Sequence, residues 1–410
     1  MRKRTIVILA VVWMVVLVAG VSSAVTMALV GALPGPSAGD AMRVTQQEYE
    51  RLERYERLDE VFRELKGRYY TELNEDELVL GAVRGMAASA GDPYTFYYTP
   101  EEMNEMVEHS KGLYEGVGLL LSGDKAGNVV VLRVFHGSPA HEAGVLPGDI
   151  VLKVNEQEVS ARTDRALDEA IGRIKRDESE TTMLTIRRGK ELLTIGMGKR
   201  AVRIDPVQYE VLEDSVGYIV IYQFMGDDVG GFKQAVRALK DAGVTRLIID
   251  VRSNPGGLLS DVVDICDQLM GQGLIVYTQD RDGRREDYFS DAALWDVPIA
   301  VLVNSMSASA SEILAGALKD AGRAIIVGEN TFGKGIVQTL VTFKPDGAGM
   351  QLTTARYFTP SGKSIHGVGI APDIKVELTG EAPLHTGVNL VRDSQLKAAY
   401  DALVGGRQGY

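Results

Sequence analysis

The sequence is poor in the residues from which many catalytic and metal sites are built. Its 410 residues include one cysteine and five histidines. The single cysteine, Cys266, excludes a framework of intrachain disulfide bonds, and its apolar helical surroundings predict a core residue. The histidines are scattered without the spacing of metal ligands, so we expect no metal ion and no other cofactor. None lies between Glu142 and Ile365, which favours lysine over histidine as the base for a serine nucleophile in that stretch.

Basic residues are fewer than acidic ones, and this imbalance limits the partners. The chain has 44 lysines and arginines against 56 aspartates and glutamates, which gives a net charge of -12 and a pI near 5.1. A nucleic-acid binder needs a basic surface, so we expect no nucleic-acid partner. The acidic residues are spread along the chain, which indicates solubility and not a binding field.

One long uncharged run is present, and it lies near the N-terminus. A basic tripeptide at positions 2–4 precedes this run, which extends from Thr5 to Leu33. It exceeds the ~7–15 apolar residues of a signal peptide and supplies the ~20 residues that span a bilayer, with the basic end in the cytoplasm. We therefore predict a signal anchor and linker over residues 1–40, with the rest of the chain outside the cytoplasm. The alternative is a cleaved signal peptide, with small residues at 22–24 near the cut, and a secreted protein.

Changes in residue pattern divide the rest of the chain into four regions. Residues 41–111 carry apolar residues at helical spacing, and these amphipathic helices either pack within their own domain or form a homodimer contact. Residues 112–200 hold short β-rich runs punctuated by glycine and proline. Residues 201–380 alternate strands with helices, which predicts an α/β core, and residues 381–410 are expected to form a C-terminal helical tail. The predicted core elements are strands Gly217–Tyr222, Arg246–Val251, Val297–Val303 and Ala324–Val327 and helices Val229–Ala242, Leu259–Met270 and Ser311–Ala321.

A glycine-rich loop in the second region suits the binding of a peptide terminus. Gly116 and Gly118 free the loop Gly116-Val117-Gly118-Leu119, so that its backbone N–H groups can converge on a carboxylate. Leu119 would begin a strand to whose open edge an extended peptide adds. Together with SPAHEAGVLPGD at 138–149, this loop makes residues 112–200 resemble a PDZ domain. Lys175–Thr182 departs from the resemblance, since a glycine-containing turn is more usual there.

Ser309 and Lys334 have settings that suit hydrolytic chemistry. Ser309 opens a predicted helix, where backbone N–H groups suit an oxyanion, although residues 309–312 also form a capping-box pattern. Lys334 stands between glycines, and burial would have to lower its pKa before it could act as a base. Gln338, four residues further on, could accept a hydrogen bond from that amine. Taken singly, a helix cap, a solvated lysine and an ordinary strand residue are the better interpretations.

Longer motifs give the chain a resemblance to a known family. The motifs are DPYTFYYTPEEM at 92–103, DVRSNPGG at 250–257, VLVNSMSASASEILAGALKD at 301–320, VGENTFGKGIVQ at 327–338 and GKSIHGVGIAPDI at 362–374. With the PDZ-like segment, they make the chain from about residue 55 to residue 380 resemble the carboxyl-terminal processing proteases, also called tail-specific proteases. The sequence departs from this family at Ser305-Met306, where relatives commonly have an acidic residue and glycine.

The resemblance implies a role for each residue of the site. It implies that Ser309 is the nucleophile, that Lys334 is the general base and that Gln338 positions the lysine. It also implies an oxyanion hole of backbone N–H groups, carried here onto Ala310 and the turn Gly256-Gly257, without indicating which glycine donates.

The expected fold is an α/β protease core with an inserted PDZ domain, a small β-rich α+β unit, and an N-terminal helical region after a membrane anchor. The expected function is that of a serine endopeptidase that recognises a free, apolar C-terminus of exported or membrane proteins and cleaves near it. The resemblance implies that the PDZ domain covers the site until a peptide docks. Whether the enzyme needs an activating partner protein stays open.

Two other functions compete with this expectation. The first is a non-catalytic adaptor that binds protein tails and carries a degenerate protease domain; the joint presence of Ser309, Lys334 and Gln338 argues against it. The second is a Ser-His-Asp protease with a PDZ tail. That order would place the protease before the PDZ segment and demand a well-placed histidine, whereas His366 lies in a predicted loop or strand edge.

Overall fold

The computed structural model describes residues 45–123, 126–135, 137–162, 164–176, 181–203, 205–291, 294–378 and 390–405. The described part of the chain divides into two compact units, one that ends at Ala82 and one that begins at Val83. In the described ranges no helix is both long and apolar enough to cross a bilayer. The signal anchor predicted for residues 1–40 lies outside those ranges.

Two helices make up the start of the described chain, as the sequence predicted. They are α1 (Gln46–Arg68) and α2 (Glu75–Ala88). Ion pairs one turn apart, such as Arg63 with Asp59 at 3.0 Å, support the strongly charged α1. Its apolar residues Tyr55, Leu58 and Val61 are exposed. A homodimer through this surface stays a prediction.

The segment that resembles a PDZ domain folds as a six-stranded sheet with two helices. The strand order is β3-β4-β5-β7-β8, β6 pairs with β5, and a separate β2–β9 ribbon closes the segment. The elements are β2 (Leu113–Gly116), β3 (Leu119–Gly123), β4 (Val129–Val134), α4 (Pro139–Glu142), β5 (Ile150–Val154), β6 (Gln157–Glu158), α5 (Asp164–Arg176), β7 (Thr182–Arg188), β8 (Glu191–Met197) and β9 (Arg200–Arg203). Alternate residues of these strands, including Val129, Val131, Leu184 and Ile186, are buried in a separate small core.

A second six-stranded sheet forms the centre of the remaining chain, in the order β10-β11-β12-β15-β16-β19. All neighbours from β11 to β19 are parallel, and only β10 runs antiparallel. Every residue of β11 and β15 is buried, as expected for parallel strands covered on both faces. The elements are β10 (Val207–Leu212), β11 (Val216–Ile221), α6 (Asp228–Asp241), β12 (Arg246–Asp250), α7 (Leu259–Asp267), β15 (Ile299–Val303), α8 (Ala310–Asp320), β16 (Ala324–Gly328) and β19 (Ile374–Lys375). Cys266 on α7 is fully buried, which confirms its predicted place in the core.

A third sheet lies beside this core and includes a strand from the N-terminal region. Its order is β1-β18-β13-β14, with β17 also paired to β18. Its strands, with the helix that follows β1, are β1 (Phe96–Tyr98), α3 (Pro100–Ser110), β13 (Gly273–Asp280), β14 (Arg285–Ser290), β17 (Ile336–Thr342) and β18 (Gly349–Phe358). Because β1 pairs with β18, the end of the region predicted to be helical is built into this third sheet.

The C-terminal helix is part of the core and not a separate tail. Helix α9 (Ser394–Val404) buries Leu396, Ala399 and Leu403 against the face of the central sheet opposite α6 to α8. Its N-cap, Asp393, accepts two backbone hydrogen bonds and also pairs with Arg252 at 2.7 Å. Arg252 is 4% exposed and bonds Asp250 as well, so this ionic cluster joins the helix to the end of β12.

Replacing Asp393 by alanine should destabilise the fold far more than replacing an exposed acid of the same helix. The change leaves a buried guanidinium short of one partner and removes a helix cap, so we expect a loss of about 3–5 kcal/mol in the free energy of unfolding. Asp401→Ala, which breaks an exposed pair with Lys397, should cost under about 1 kcal/mol. Chemical denaturation of both variants measures the difference, and equal losses would contradict the assigned role of Asp393.

Candidate active site

Ser309 lies on a sharp turn between β15 and α8. Its backbone is strained, with φ 56° and ψ -115°, a conformation that a non-glycine residue rarely adopts. The side chain is half-buried, and Ser309 forms with Glu312 the capping box that the sequence pattern indicated. An ordinary helix cap has extended backbone and aims its side-chain oxygen at the first turn. The turn therefore combines a capping box with a strained backbone, which an ordinary helix cap does not have.

Glu312 is the buried residue that joins the serine segment to the lysine segment. Its side chain is inaccessible to solvent. Oε2 accepts hydrogen bonds from the backbone N–H groups of Ser309 at 2.9 Å and Lys334 at 2.8 Å. Oε1 accepts from the Thr331 hydroxyl at 2.6 Å and the Gly333 N–H at 2.7 Å. Four donors thus satisfy one carboxylate, which is how a buried charge is kept stable.

Tyr357 forms a second bridge between the same two segments. Its hydroxyl lies 2.6 Å from the carbonyl oxygen of Lys334 and 3.0 Å from that of Ser309. The ring is 1% exposed on β18, so the bridge is rigid and dry. Burial raises the pKa of the Tyr357 hydroxyl well above its ordinary value, which keeps the proton that donates these bonds.

The Lys334 amine is half-buried beside residues 92–95, the DPYT motif at the start of DPYTFYYTPEEM. Its Nζ lies 4.3 Å from the centre of the Tyr94 ring, a cation–π contact. Burial lowers the pKa of Lys334 below its ordinary value, while the charges of Asp92 and Glu312 raise it, and burial is the larger effect. At a given pH, a larger fraction of Lys334 is therefore in the neutral amine form than for an exposed lysine.

Gln338 lies at a bulge of β17 near the DPYT motif. Its amide nitrogen donates to the Thr353 hydroxyl at 3.3 Å, and the Thr353 N–H donates to Thr95 at 3.3 Å. In the described part of the chain no hydrogen bond joins Gln338 to the Lys334 amine. The positioning role of Gln338 therefore stays a prediction.

The Gly256-Gly257 turn packs directly against the start of α8. A β-carbon on Gly256 would lie 2.7 Å from Ser309 Cβ and 3.0 Å from the Ala310 nitrogen. The Gly256 N–H is occupied, because it donates to Asn254 Oδ1 at 2.8 Å. Within the described ranges, neither the Gly257 N–H nor the Ala310 N–H has a protein acceptor. These two groups are the free donors beside Ser309.

The predicted carboxylate loop of residues 116–119 is formed between β2 and β3. Gly118 has φ +84°, and a β-carbon there would lie 2.2 Å from Ser138 Cβ, so only glycine fits. The Val117 and Gly118 carbonyl groups accept bonds from Ala140 and Phe135. Their own N–H groups have no acceptor in the part of the chain that the structure describes, as a loop that binds an anion requires.

Sequence reasoning missed the residues that hold the pair together. From the sequence, Glu312 was recognised only as part of a capping-box pattern. Asp92 and Tyr94 were recognised only as part of a motif that lies over 200 residues from Lys334, so their contact with it was not predicted. Among the described residues no three His, Cys, Asp or Glu side chains cluster in a way that could hold a metal ion. The absence of a cofactor stays a prediction.

Comparisons with known proteins identify the family. A model of peptidase family S41 matches residues 215–376, a PDZ domain model matches residues 130–188, and a model described as the activating protease CtpB N-terminal domain matches residues 21–102. A protein of Bartonella bacilliformis named carboxy-terminal-processing protease is 35% identical over 343 residues, which span 81% of this chain and 76% of that protein. The chain belongs to peptidase family S41.

Other similarities support the assignment to S41. A protein of Staphylococcus aureus (strain MRSA252), named "Probable CtpA-like serine protease", is 33% identical over 345 residues, which span 83% of this chain and 67% of that protein. The solved structure of the photosystem II D1 C-terminal processing protease is 29% identical, with a TM-score of 0.53, and the match covers 85% of this chain and 96% of that one. The predicted family, PDZ domain and helical N-terminal region are thus confirmed.

Replacing Gly256 by alanine should disrupt the S41 site locally. The new methyl group would collide with Ser309 and the Ala310 nitrogen, and φ of +104° is itself unfavourable for alanine, so we expect a loss of at least about 1–3 kcal/mol in stability. Gly271→Ala is the control, because its methyl group would meet no atom within 4 Å. Thermal unfolding of the two variants should differ clearly, and a Gly256→Ala variant as stable as the control would refute the described packing.

Proposed function

We propose that this S41 chain is a serine endopeptidase that uses Ser309 and Lys334 to cleave exported or membrane proteins near their C-termini. The observation that carries the proposal is the double bridge by Glu312 and Tyr357. A buried carboxylate and a buried hydroxyl, from two different elements, fix the backbones of the same serine and the same lysine. A merely structural serine and a surface lysine need no such shared support.

Lys334 supplies the general base in this proposal. Its neutral amine takes the proton of Ser309 Oγ as the oxygen attacks the scissile carbonyl carbon. The ammonium then gives that proton to the departing amine, and an acyl-enzyme remains. A water molecule, deprotonated by the same amine, attacks the acyl carbon; the bond from that carbon to Ser309 Oγ breaks, and the ammonium returns the proton to Oγ as the carboxylic acid leaves. The lowered pKa of the buried lysine supports this role, and Gln338 would accept a hydrogen bond from the amine and orient it.

The oxyanion is bound by the Ala310 and Gly257 N–H groups. Ala310 follows Ser309 in the chain, and Gly257 follows the glycine that packs on Ser309; both N–H groups lack a protein acceptor among the described residues, whereas the Gly256 N–H is already bonded to Asn254. A developing negative charge is best stabilised by donors that are fixed in advance. The hydrogen bonds that flank Gly257, from Phe224 to Gly256 at 3.0 Å and from Leu258 to Phe224 at 2.7 Å, hold the turn in place.

Substrate tails are recognised at the carboxylate loop, residues 116–119, and the PDZ domain gates the site. The free N–H groups of Val117 and Gly118 suit a terminal carboxylate, and β3 offers a strand for the tail to join. The membrane anchor, the position outside the cytoplasm and an activating partner belong to the same proposal. They follow from the sequence expectations alone.

Alanine at Ser309 or at Lys334 should abolish cleavage while the fold is retained. A model protein with an apolar C-terminal tail serves as substrate, and intact mass gives the cut position. We expect each variant to lose at least about a thousandfold in kcat/KM, because nucleophile and base act as one unit. Ser305→Ala and Lys344→Ala, at exposed positions, are the matched controls and should retain activity. An active Ser309→Ala variant would refute the mechanism; tail binding without cleavage by the parent protein would favour the adaptor.

The pH dependence of cleavage should report the buried lysine. Because the neutral amine is the base, kcat/KM should rise with pH and level off through a pKa below the ~10.4 of free lysine. Asp92→Asn removes a charge that raises the pKa of Lys334, so the rising limb should move to lower pH. Glu191→Gln, at an exposed site on β8, is the control and should leave the limb in place. A limb that Asp92→Asn does not move, or moves to higher pH, would contradict the assignment of Lys334.

A further inference from the structure

Arg133 on β4 is a charged residue buried between the PDZ domain and the protease core. It is 6% exposed. Its guanidinium carbon lies 3.7 Å from the centre of the Tyr222 ring and 4.9 Å from that of Phe135. One terminal nitrogen donates to the carbonyl oxygen of Asp205 at 2.9 Å. Phe135 belongs to the PDZ domain, whereas Asp205 and Tyr222 belong to the core, so one side chain joins the two.

On the PDZ side, Arg133 contacts the residue that holds the carboxylate loop. The Phe135 N–H donates to the Gly118 carbonyl oxygen at 3.0 Å. Arg133 itself lies opposite Leu120 in the β3–β4 ladder, one residue beyond the loop. A tail that binds the loop and extends along β3 therefore contacts the backbone to which Arg133 and Phe135 are paired.

On the core side, Arg133 contacts the segment that supports the proposed oxyanion donor. Tyr222 lies two residues before Phe224. Phe224 makes hydrogen bonds on both sides of Gly257, to Gly256 and from Leu258. The Asn254 amide, which also fixes the Gly256 N–H, donates to the Ile221 carbonyl oxygen at 2.8 Å. Two residues of backbone thus connect Tyr222, which Arg133 contacts, to Phe224, which holds the turn Gly256-Gly257. This turn is called the oxyanion turn below.

The chemistry of the Arg133 contact suits a switch better than a permanent clamp. A guanidinium has five N–H donors, and in the described chain one of them has a protein acceptor. Two aromatic faces supply the remaining attraction. Burial lowers the pKa of Arg133, which reflects the cost of removing this cation from water. An arrangement that returned Arg133 to solvent would recover that cost.

We propose that Arg133 couples occupancy of the carboxylate loop to the geometry of the oxyanion turn. This inference rests on the proposed function, in which the PDZ domain gates the site. The contacts that connect the two sites run from Gly118 through Phe135, Arg133 and Tyr222 to Gly257. Arg133 is a positioning residue and touches neither the scissile bond nor the tail.

The test compares two forms of one apolar-tailed peptide, with a free C-terminal carboxylate and with a C-terminal amide. Coupling appears as the ratio of their kcat/KM values, which we expect to lie in the range of roughly 5- to 150-fold for the parent protein. Arg133→Ala should bring the ratio close to one, and Arg133→Lys should lower it because an ammonium lacks the planar group that stacks on Tyr222. Arg187→Ala, an exposed arginine of the PDZ strand β7, should leave it unchanged.

Two further readouts separate coupling from damage to the fold. In a Ser309→Ala background, adding the Arg133→Ala change should leave the affinity for the free-carboxylate peptide the same within about threefold. Hydrogen exchange of residues 222–226 and 254–258 should change on addition of that peptide only when Arg133 is present. An unchanged kcat/KM ratio in Arg133→Ala, or an unchanged exchange response, would overturn the proposal. If the parent protein cleaves neither peptide, the proposed protease function fails, and the exchange measurement still decides the coupling.

Discussion

The Glu312 carboxylate is the constraint on which the rest of the site depends. It is buried and forms no ion pair with any described residue, so its four hydrogen bonds compensate for the loss of water. Its donors come from the turn at Ser309 and from residues 331–334, which are brought together only when β15, α8 and the segment after β16 are in place. The energy of satisfying one buried charge therefore fixes the relative positions of a serine and a lysine 25 residues apart.

This constraint also explains how the site keeps a strained serine. The left-handed backbone of Ser309 costs on the order of 1–3 kcal/mol, and it persists because Glu312, Tyr357 and the packed Gly256 hold the turn from three directions. In return, the Ala310 N–H beside Ser309 has no acceptor among the described residues. The central sheet provides the rigid base for this arrangement, since β15 is buried along its whole length.

The sequence predicted the parts of the fold that local patterns control. Strands expected at Gly217–Tyr222 and Arg246–Val251 occur at Val216–Ile221 and Arg246–Asp250, because continuous apolar runs identify buried parallel strands. The sequence could not predict contacts between distant segments. Tyr94 over Lys334, the pairing of β1 with β18 and the burial of α9 on the central sheet depend on tertiary packing, and no local spacing encodes them. The capping box of Ser309 and Glu312 is present as the pattern predicted, but the other three donors to Glu312 lie 19 to 22 residues away and could not be foreseen.

The most direct test of this account is the rate at which Ser309 is acylated in a Glu312→Gln variant. Glutamine has the same shape but places an NH₂ group where two donors already point, so the serine and lysine segments should lose their alignment. We predict that acylation by an activated ester falls at least about a hundredfold while tail-peptide affinity at the carboxylate loop, which reports an intact PDZ domain, stays unchanged. An acylation rate within about threefold of the parent protein, in a variant that still binds the tail, would contradict the claim that Glu312 sets the catalytic geometry.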